Sequence, residues 1–236
     1  MQAEGVNSPA DVLLTVDIGR LSGLEDGGVT QPVNSAVINA NIPAQYRDAE
    51  GQWFGLTMRG RVVYASVDRV AQDEITYAEL ADEKWQGKIC TRSGQHPYNI
   101  ALFASIIAHE GEAAAEEWLT GLKANLARTP SGSDRAQAQG IFAGECDLAL
   151  GNTYYVGLMR TNDENPEQKD WAAAIKVLFP NANGRGTHIN LSGMAMAKYA
   201  PNPENALKLM EFLSSAAAQE IYAEQVFEYP LLPSAE

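Results

Sequence analysis

Residues 144–155 read Gly-Glu-Cys-Asp-Leu-Ala-Leu-Gly-Asn-Thr-Tyr-Tyr. The apolar run at residues 147–150 is typical of a short buried strand, and two adjacent tyrosines, Tyr154 and Tyr155, follow it almost at once. In sheets whose strands alternate with helices, ligands bind beyond the carboxyl ends of the strands. The segment therefore predicts a buried strand whose end presents two phenols.

A third tyrosine, Tyr98, lies in Arg92-Ser-Gly-Gln-His-Pro-Tyr-Asn99, which is typical of a strand-to-helix turn. If this turn lies beside the tyrosine pair, three phenol oxygens converge on one point. Ionised phenol oxygens are hard donors and suit a hard cation such as Fe(III). The alternative is structural, because tyrosine pairs also fill cores with each hydroxyl bonded to a neighbour. We interpret His96, which precedes a proline, as a turn residue.

Composition limits the classes of protein that fit. The chain has 236 residues, enough for one large or two small domains, and 45% of them are hydrophobic. No apolar run approaches the roughly 20 residues that cross a bilayer. The net charge of −13 disfavours nucleic acid and anionic membranes as partners, because both attract clustered basic residues.

The two cysteines, Cys90 and Cys146, each lie in a short run with strand character, at residues 88–91 and 145–148. If those strands are neighbours, a disulfide is geometrically possible in an oxidising compartment. The alternative is two buried free thiols, which are common in protein cores. Zinc is not indicated, because the histidines are scattered and show no ligand spacing to the cysteines.

Apolar strands alternate with amphipathic helices along the chain. The predicted strands are residues 11–15, 61–66, 88–92, 147–150 and 174–178. The predicted helices include residues 99–108, 113–125, one capped by Asp134 that runs toward Phe142, and two near the end at 204–213 and 216–224. This order predicts an α/β fold with largely parallel strands and helices on both faces of the sheet.

Both ends of the chain predict a fragment of a longer protein. Residues 11–17 have the character of an interior strand and are reached almost at once, and residues 229–236 have loop character. The start has no basic or strongly apolar leader segment, but export remains compatible with this, because such a segment is removed from a mature protein.

Several segments together resemble the periplasmic ferric-iron-binding proteins of bacterial ABC transporters, in the branch whose iron site is dominated by tyrosines. The resemblance covers essentially the whole chain. The segments are Ser8-Pro-Ala-Asp-Val-Leu-Leu-Thr-Val-Asp17, Trp53-Phe-Gly-Leu-Thr-Met-Arg-Gly-Arg-Val-Val-Tyr64, Trp85-Gln-Gly-Lys-Ile-Cys90, Arg92–Asn99, Gly144–Tyr155, Leu191-Ser-Gly-Met194 and Glu228-Tyr-Pro230.

The resemblance implies a type II periplasmic-binding-protein fold, a transferrin-like clamshell of two lobes. Lobe one would comprise residues 1–63 and 189–236, and lobe two, with the tyrosines, residues 64–188. The family's first strand and helix would lie upstream of Ser8, so we expect lobe one to lack them. We therefore expect this chain to bind iron more weakly than a complete member of the family.

The resemblance also implies Fe(III) bound by Tyr98, Tyr154 and Tyr155, with a carbonate or bicarbonate completing the shell as a synergistic anion. A helix beginning near residue 99 would favour such an anion. The candidates to hold the anion are Arg59, Arg92, Ser93, Gln95 and Asn152. For the two arginines, a surface or hinge ion pair is the alternative.

The function that follows from the resemblance is capture of Fe(III) in the periplasm and its delivery to an inner-membrane ABC permease. We expect a monomer that binds no nucleic acid and does not insert into the membrane. The alternative is another small solute, a polyamine or an oxyanion, on the same scaffold without metal. We expect no enzyme, because the sequence lacks a nucleophile elbow, a phosphate-binding loop and a dinucleotide fingerprint.

Overall fold

The computed structural model describes residues 3–232 and divides into two compact units. The first unit takes the chain up to Arg59 and again from Asn190, and the second runs from Gly60 to Ile189. The family resemblance implies crossings between lobes at 63/64 and 188/189. Two long strands, Phe54–Ser66 and Ile189–Ala197, carry the chain through the boundaries.

The strands are β1 (Val12–Val16), β2 (Thr30–Gln31), β3 (Phe54–Ser66), β4 (Ile89–Cys90), β5 (Leu148–Asn152), β6 (Ile175–Leu178), β7 (Ile189–Ala197) and β8 (Tyr229–Pro230). The α-helices are α1 (Ile18–Asp26), α2 (Ala36–Asn41), α3 (Pro97–Glu110), α4 (Glu112–Ala124), α5 (Asp134–Phe142), α6 (Tyr154–Arg160), α7 (Glu167–Ala173), α8 (Pro203–Leu213) and α9 (Ala216–Ile221). A π-helical turn, Tyr222–Val226, follows α9.

The sheet of the first unit is antiparallel where its register is defined. Strand β1 pairs with β7 so that Val12 lies opposite Met196 and Val16 opposite Ser192. Strand β2 pairs with the other end of β7, and β8 pairs with the first half of β3. Apolar side chains from β3, β7, α2 and α8 form the core of this unit.

In the second unit, β3 lies between β5 and β6 and is antiparallel to both, whereas β4 pairs with β5 in parallel. The expectation of largely parallel strands is therefore wrong. Strands β4, β5 and β6 do run in one direction, as helical crossovers require, but β3 enters from the first unit and separates β5 from β6. The alternation of strands and helices does not reveal this insertion.

Helices cover both faces of the second sheet, which confirms that part of the prediction. Successive residues of β3 point to opposite faces, so that Val63 packs in a cluster with residues of α3 and α4. Val62 packs on the other side in a cluster with residues of α5, α6 and α7. The carboxyl end of β5 is thereby held between two helical layers.

The start of α5 differs from the sequence prediction. Ser133, not Asp134, is the N-cap, because its hydroxyl accepts a hydrogen bond from the backbone N–H of Ala136. Asp134 is the first helical residue, and its carboxylate is fully buried. The carboxylate of Asp134 therefore does not cap α5 and lies in the interior of the second unit.

Cys90 and Cys146 form a disulfide, with 5.9 Å between their Cα atoms. Cys90 ends β4 and Cys146 lies just before β5, and these two strands are parallel neighbours. The bridge closes a loop of sequence separation 56, which includes α3, α4 and α5. In the unfolded chain, the bridge therefore restricts the segment that forms α3, α4 and α5, which pack on the second sheet in the folded protein.

Removing the disulfide should destabilise the second unit. For a loop of this length, the loss of loop-closure entropy corresponds to about 4 kcal/mol, so the double variant Cys90→Ser, Cys146→Ser should unfold at lower urea concentration. Urea unfolding followed by circular dichroism measures the change. Wild-type protein in excess reductant is the control and should match the variant. Equal midpoints for the oxidised wild type and the variant would show that the bridge contributes nothing.

Candidate metal centre

The three tyrosines lie in the second unit at the carboxyl ends of strands. Tyr154 and Tyr155 open α6 just after β5, and Tyr98 is the second residue of α3, which follows β4. The hydroxyl of Tyr154 donates a hydrogen bond to the hydroxyl of Tyr98 at 3.2 Å. The rings of Tyr154 and Tyr155 have centroids 4.3 Å apart and are tilted by 34°. The structure thus brings together the three phenols that the sequence singled out.

The phenol of Tyr154 has a strongly perturbed acidity. Burial raises the pKa of Tyr154 well above its ordinary value, and hydrogen bonds with Tyr155 and Tyr98 raise it further. The residue is 9% exposed, whereas its two partners are half-buried. Without a cation, Tyr154 is therefore a neutral phenol near neutral pH, and ionising it requires a compensating positive charge.

Two arginines flank the phenol cluster. The guanidinium carbon of Arg92 lies 5.0 Å from the ring centroid of Tyr98, and that of Arg135 lies 5.1 Å from the ring of Tyr155. Each arginine has a buried Nε atom with no hydrogen-bond partner among residues 3–232. The sequence pointed to Arg92, but Arg135 was missed because nothing in its local pattern links it to Tyr155.

A fully buried polar network lies beneath the cluster. The guanidinium of Arg61, on β3, donates from Nη1 to Asp134 Oδ2 at 2.7 Å and to Asn152 Oδ1 at 3.0 Å. Its Nη2 donates to Asn99 Oδ1 at 2.7 Å. Arg61 is 2% exposed and Asp134 is 0% exposed. The network joins the start of α3, the start of α5 and the end of β5.

Asp134 is shared between two guanidiniums. Its Oδ1 lies 3.2 Å from Nη1 of Arg92, and its Oδ2 also accepts a hydrogen bond from the backbone N–H of Asn152 at 2.9 Å. Sequence reasoning missed Arg61, Asn99 and the role of Asp134. A charged residue inside the apolar run Gly60-Arg-Val-Val-Tyr64 was the available signal, because an arginine in an interior strand needs buried partners.

The end of β5 is fixed by close packing. A Cβ atom on Gly151 would lie 2.1 Å from Cζ of Tyr64, so glycine at this position lets the tyrosine ring lie against the strand. The hydroxyl of Tyr64 then donates to the backbone carbonyl of Asn152. Together with the network bonds of Asn152, this contact holds the backbone two residues before Tyr154.

The five residues expected to hold an anion fall into three groups. Arg92 and Asn152 lie on the tyrosine-bearing segments, and Nδ2 of Asn152 is buried without a partner in the described part of the chain. Ser93 and Gln95 are exposed on the turn before Tyr98, where Ser93 Oγ accepts from the N–H of Gln95 at 3.2 Å. Arg59 belongs to the first unit, where its Nη1 donates to Ser192 Oγ at 3.0 Å and lies 3.7 Å from Glu228.

His96 acts as the N-cap of α3, as its interpretation as a turn residue predicted. Its Nδ1 accepts a hydrogen bond from the backbone N–H of Tyr98 at 3.2 Å, and its ring meets the Tyr98 ring edge to face at 4.5 Å. Within residues 3–232, no group of three or more His, Cys, Asp or Glu side chains is arranged to hold a metal ion. None of the described helices has the length and apolar character needed to span a membrane.

The family profile of bacterial extracellular solute-binding proteins matches residues 1–220 of the chain. The chain belongs to this family. This solute-binding protein is 46% identical over 233 residues to iron uptake protein A1 of Synechocystis sp., and the match covers 98% of the chain and 64% of the relative. The chain therefore spans less than two thirds of the length of that relative.

Solved structures show the same relationship. The solute-binding protein matches the Bordetella ferric binding protein with a TM-score of 0.92 and 50% identity, over 100% of this chain and 74% of the other. It matches a Trichodesmium protein in complex with iron and citrate ligands with a TM-score of 0.94 and 43% identity, over 100% and 74% of the chains. The resemblance to ferric-binding proteins and the type II periplasmic-binding-protein fold are thus confirmed.

The raised pKa of Tyr154 predicts a pH dependence of stability. Its folded pKa exceeds the unfolded value of about 10, so the stability that the protonated phenol contributes is present below about pH 10 and is lost as the pH rises further. The Tyr154→Phe variant should lose less unfolding free energy above about pH 10 than the wild type. Urea unfolding of metal-free protein at several alkaline pH values measures this. Tyr199 is an exposed tyrosine of the first unit, so the Tyr199→Phe variant should lose as much unfolding free energy as the wild type. If Tyr154→Phe showed the same pH dependence as the wild type, the prediction would be contradicted.

Proposed function

We propose that this solute-binding protein captures Fe(III) through the phenolate oxygens of Tyr98, Tyr154 and Tyr155. The observation that carries the proposal is the 3.2 Å contact between the hydroxyls of Tyr154 and Tyr98, with Tyr155 stacked beside them. A buried hydroxyl needs a hydrogen-bond partner, but here that partner is a second phenol from a separate segment, and the ring of a third tyrosine lies beside the two. The relatives and solved structures that match the chain are named for iron uptake or ferric binding.

The chemistry of the cluster suits a trivalent cation. Fe(III) is a hard ion that hydroxide precipitates near neutral pH, so a protein ligand must be a hard anionic oxygen. Phenolate meets this need, but a tyrosine with a pKa of about 10 or more must lose its proton first. A bound trivalent ion supplies the positive charge that drives this ionisation, as metals do for bound water and thiols.

A small anion would complete the shell, and carbonate or bicarbonate is the proposed one. Three phenolates neutralise the charge of Fe(III), while Asp134 is shared by two guanidiniums, so the surrounding network keeps a surplus of positive charge. Arg92 and the unpartnered Nδ2 of Asn152 are the donors nearest the tyrosine segments in the chain. Ser93 and Gln95 would contribute from the exposed turn before Tyr98.

Within the cell, the proposed role is carriage in the periplasm. The family supplies solutes to ABC transporters, so the expected partner is an inner-membrane permease, and we propose a monomer that delivers iron to it without catalysing a reaction. A polyamine fits less well, because the buried carboxylate of Asp134 is already paired with two guanidiniums. An oxyanion bound without metal also fits less well, because it brings no positive charge that would make use of the three phenol oxygens as anionic ligands.

Removing phenol oxygens should remove iron binding. The Tyr154→Phe, Tyr155→Phe double variant should weaken Fe(III) binding at least about 100-fold, because two anionic ligands are lost while both rings remain. Titration with ferric citrate, followed by the phenolate-to-iron charge-transfer absorbance, measures binding. Tyr199→Phe is the control and should bind like the wild type. Tight, coloured binding by the double variant would refute the ligand assignment.

Iron capture should also release protons. Because the ordinary pKa of a phenol is about 10, a tyrosine must lose its proton to become an anionic ligand. Each Fe(III) bound by three tyrosines should therefore release about three protons near neutral pH, and the affinity should fall as the pH falls. A pH indicator in weakly buffered solution measures the release after correction for the ferric chelate alone. Tyr98→Phe should release about two protons. Release of no protons by the wild type would exclude phenolate ligation.

A further inference from the structure

Arg61 connects all of the segments that carry the phenol cluster. It lies on β3 and is 2% exposed. Its guanidinium donates hydrogen bonds to Asn99, Asn152 and Asp134, at 2.7, 3.0 and 2.7 Å. Each partner is close in sequence to the cluster. Asn99 follows Tyr98, Asn152 lies two residues before Tyr154, and Asp134 precedes Arg135, which lies over the ring of Tyr155.

We infer that Arg61 is a positioning residue that sets the distances between the phenol oxygens before iron arrives. This inference rests on the proposed function and adds to it the group that arranges the ligands. Metal sites gain affinity when the residues behind the ligands fix their orientation, because the ligands then need not be ordered on binding. Arg61 does this from behind the cluster, through three different segments.

The first connection reaches Tyr98 through Asn99. The side-chain oxygen of Asn99 accepts from Arg61, and its Nδ2 donates to Thr91 Oγ1 at 3.1 Å and to the carbonyl oxygens of Arg92 and Ser93 at 3.0 and 3.2 Å. The side chain of Asn99 therefore joins the turn to the first helical residues of α3. Since Tyr98 is the preceding residue, its Cα position follows from this contact.

The second connection reaches Tyr154 and Tyr155 through Asn152. Arg61 and Asn152 are opposite each other in the β3–β5 ladder, and the guanidinium also bonds Asn152 Oδ1. Asp134 binds the same guanidinium and accepts from the backbone N–H of Asn152. The end of β5 is therefore fixed by its side chain and its backbone, two residues before the first phenol of the pair.

The third connection reaches Tyr155 through the ion pair between Arg61 and Asp134. Burying a guanidinium requires a carboxylate partner, and Asp134 supplies it from the first turn of α5. The next residue of that turn, Arg135, lies over the ring of Tyr155. The ion pair thus fixes the start of α5, which places the guanidinium of Arg135 against the ring of Tyr155.

The planar fork of arginine is essential to this arrangement. Nη1 and Nη2 point in fixed directions toward different segments, whereas the single ammonium of lysine cannot reach the same set of acceptors. Arg61→Lys keeps the positive charge beside Asp134 but should release Asn99 or Asn152. The phenols would remain in the chain, but their oxygens would no longer be held at the distances that one ion requires.

The primary test compares Arg61→Lys with Arg69→Lys. Arg69 lies in the same unit and also bridges segments, since it pairs with Asp147 and its Nη2 donates to the carbonyls of Ile141 and Cys146 at 2.8 and 2.9 Å. Titrated with ferric citrate, Arg61→Lys should bind Fe(III) about 10- to 100-fold more weakly than the wild type, and Arg69→Lys within about twofold. Arg61→Lys should also release fewer protons per bound iron and show a shifted charge-transfer band.

A milder pair of variants covers the case in which Arg61→Lys does not fold. Asn99→Ala removes the connection to Tyr98 and leaves the Arg61–Asp134 ion pair intact. Asn125→Ala is its matched control, because Asn125 is a buried asparagine of the same unit whose Nδ2 donates to the carbonyls of Leu80 and Asp82 at 2.9 and 2.7 Å. Asn99→Ala should weaken iron binding and reduce proton release toward the value of Tyr98→Phe, whereas Asn125→Ala should change neither.

A double-mutant cycle separates positioning from general destabilisation. If Asn99 acts through Tyr98, adding Asn99→Ala to Tyr98→Phe should weaken iron binding by no more than about twofold beyond Tyr98→Phe alone. Multiplied losses in the double variant would overturn the inference. So would wild-type affinity, spectrum and proton release in folded Arg61→Lys and Asn99→Ala. Absence of charge-transfer colour in the wild type itself would instead refute the proposed function, and the inference with it.

Discussion

The buried ion pair between Arg61 and Asp134 is the constraint around which the second unit is organised. A guanidinium inside a sheet is tolerated only when a carboxylate and further acceptors surround it, and here they come from α5, β5 and α3. Strand β5 follows α5 closely in the chain, whereas α3 lies more than 20 residues before α5. Sheet pairing and helix packing bring these elements together, and the hydrogen bonds of Arg61 join them at the point where the phenol cluster lies.

The electrostatics of the cluster favour a cation that can ionise phenols. Burial and hydrogen bonds with its neighbours raise the pKa of Tyr154, so this phenol is neutral when no metal is bound. The guanidiniums of Arg92 and Arg135 lie against two of the rings, and Arg61 lies behind the cluster. In the proposed function, a trivalent ion would replace the phenol protons, and the remaining positive charge would favour a companion anion. Proton release, metal capture and anion binding would then be coupled in one site.

Local patterns predicted much of this structure correctly. Hydrophobic runs and turn residues predict a strand at residues 147–150 and a turn that leads into a helix near residue 99, and the structure has β5 and α3 there. The short helix α6, which begins at Tyr154, was not predicted. Strand direction was wrong, because β3 enters the second sheet from the other unit and lies antiparallel between β5 and β6. The role of Asp134 was wrong as well. An acidic residue at a helix start favours a cap by local rules, but Arg61, 73 residues away in sequence, pairs with it instead.

The sequence by itself determined which groups are available: three tyrosines at the ends of strand-like runs, two cysteines in strand-like segments, and a family resemblance that covers the whole chain. Each of these features can be read from the order of residues along the chain, without knowledge of which segments contact one another. Only the tertiary structure decided that Tyr98 and Tyr154 lie within hydrogen-bonding distance, that Arg135 lies over Tyr155 and that Arg61 holds their segments together. The physical reason is that distances between separate segments depend on strand register and on buried polar partners, and neither is encoded in any single stretch of residues.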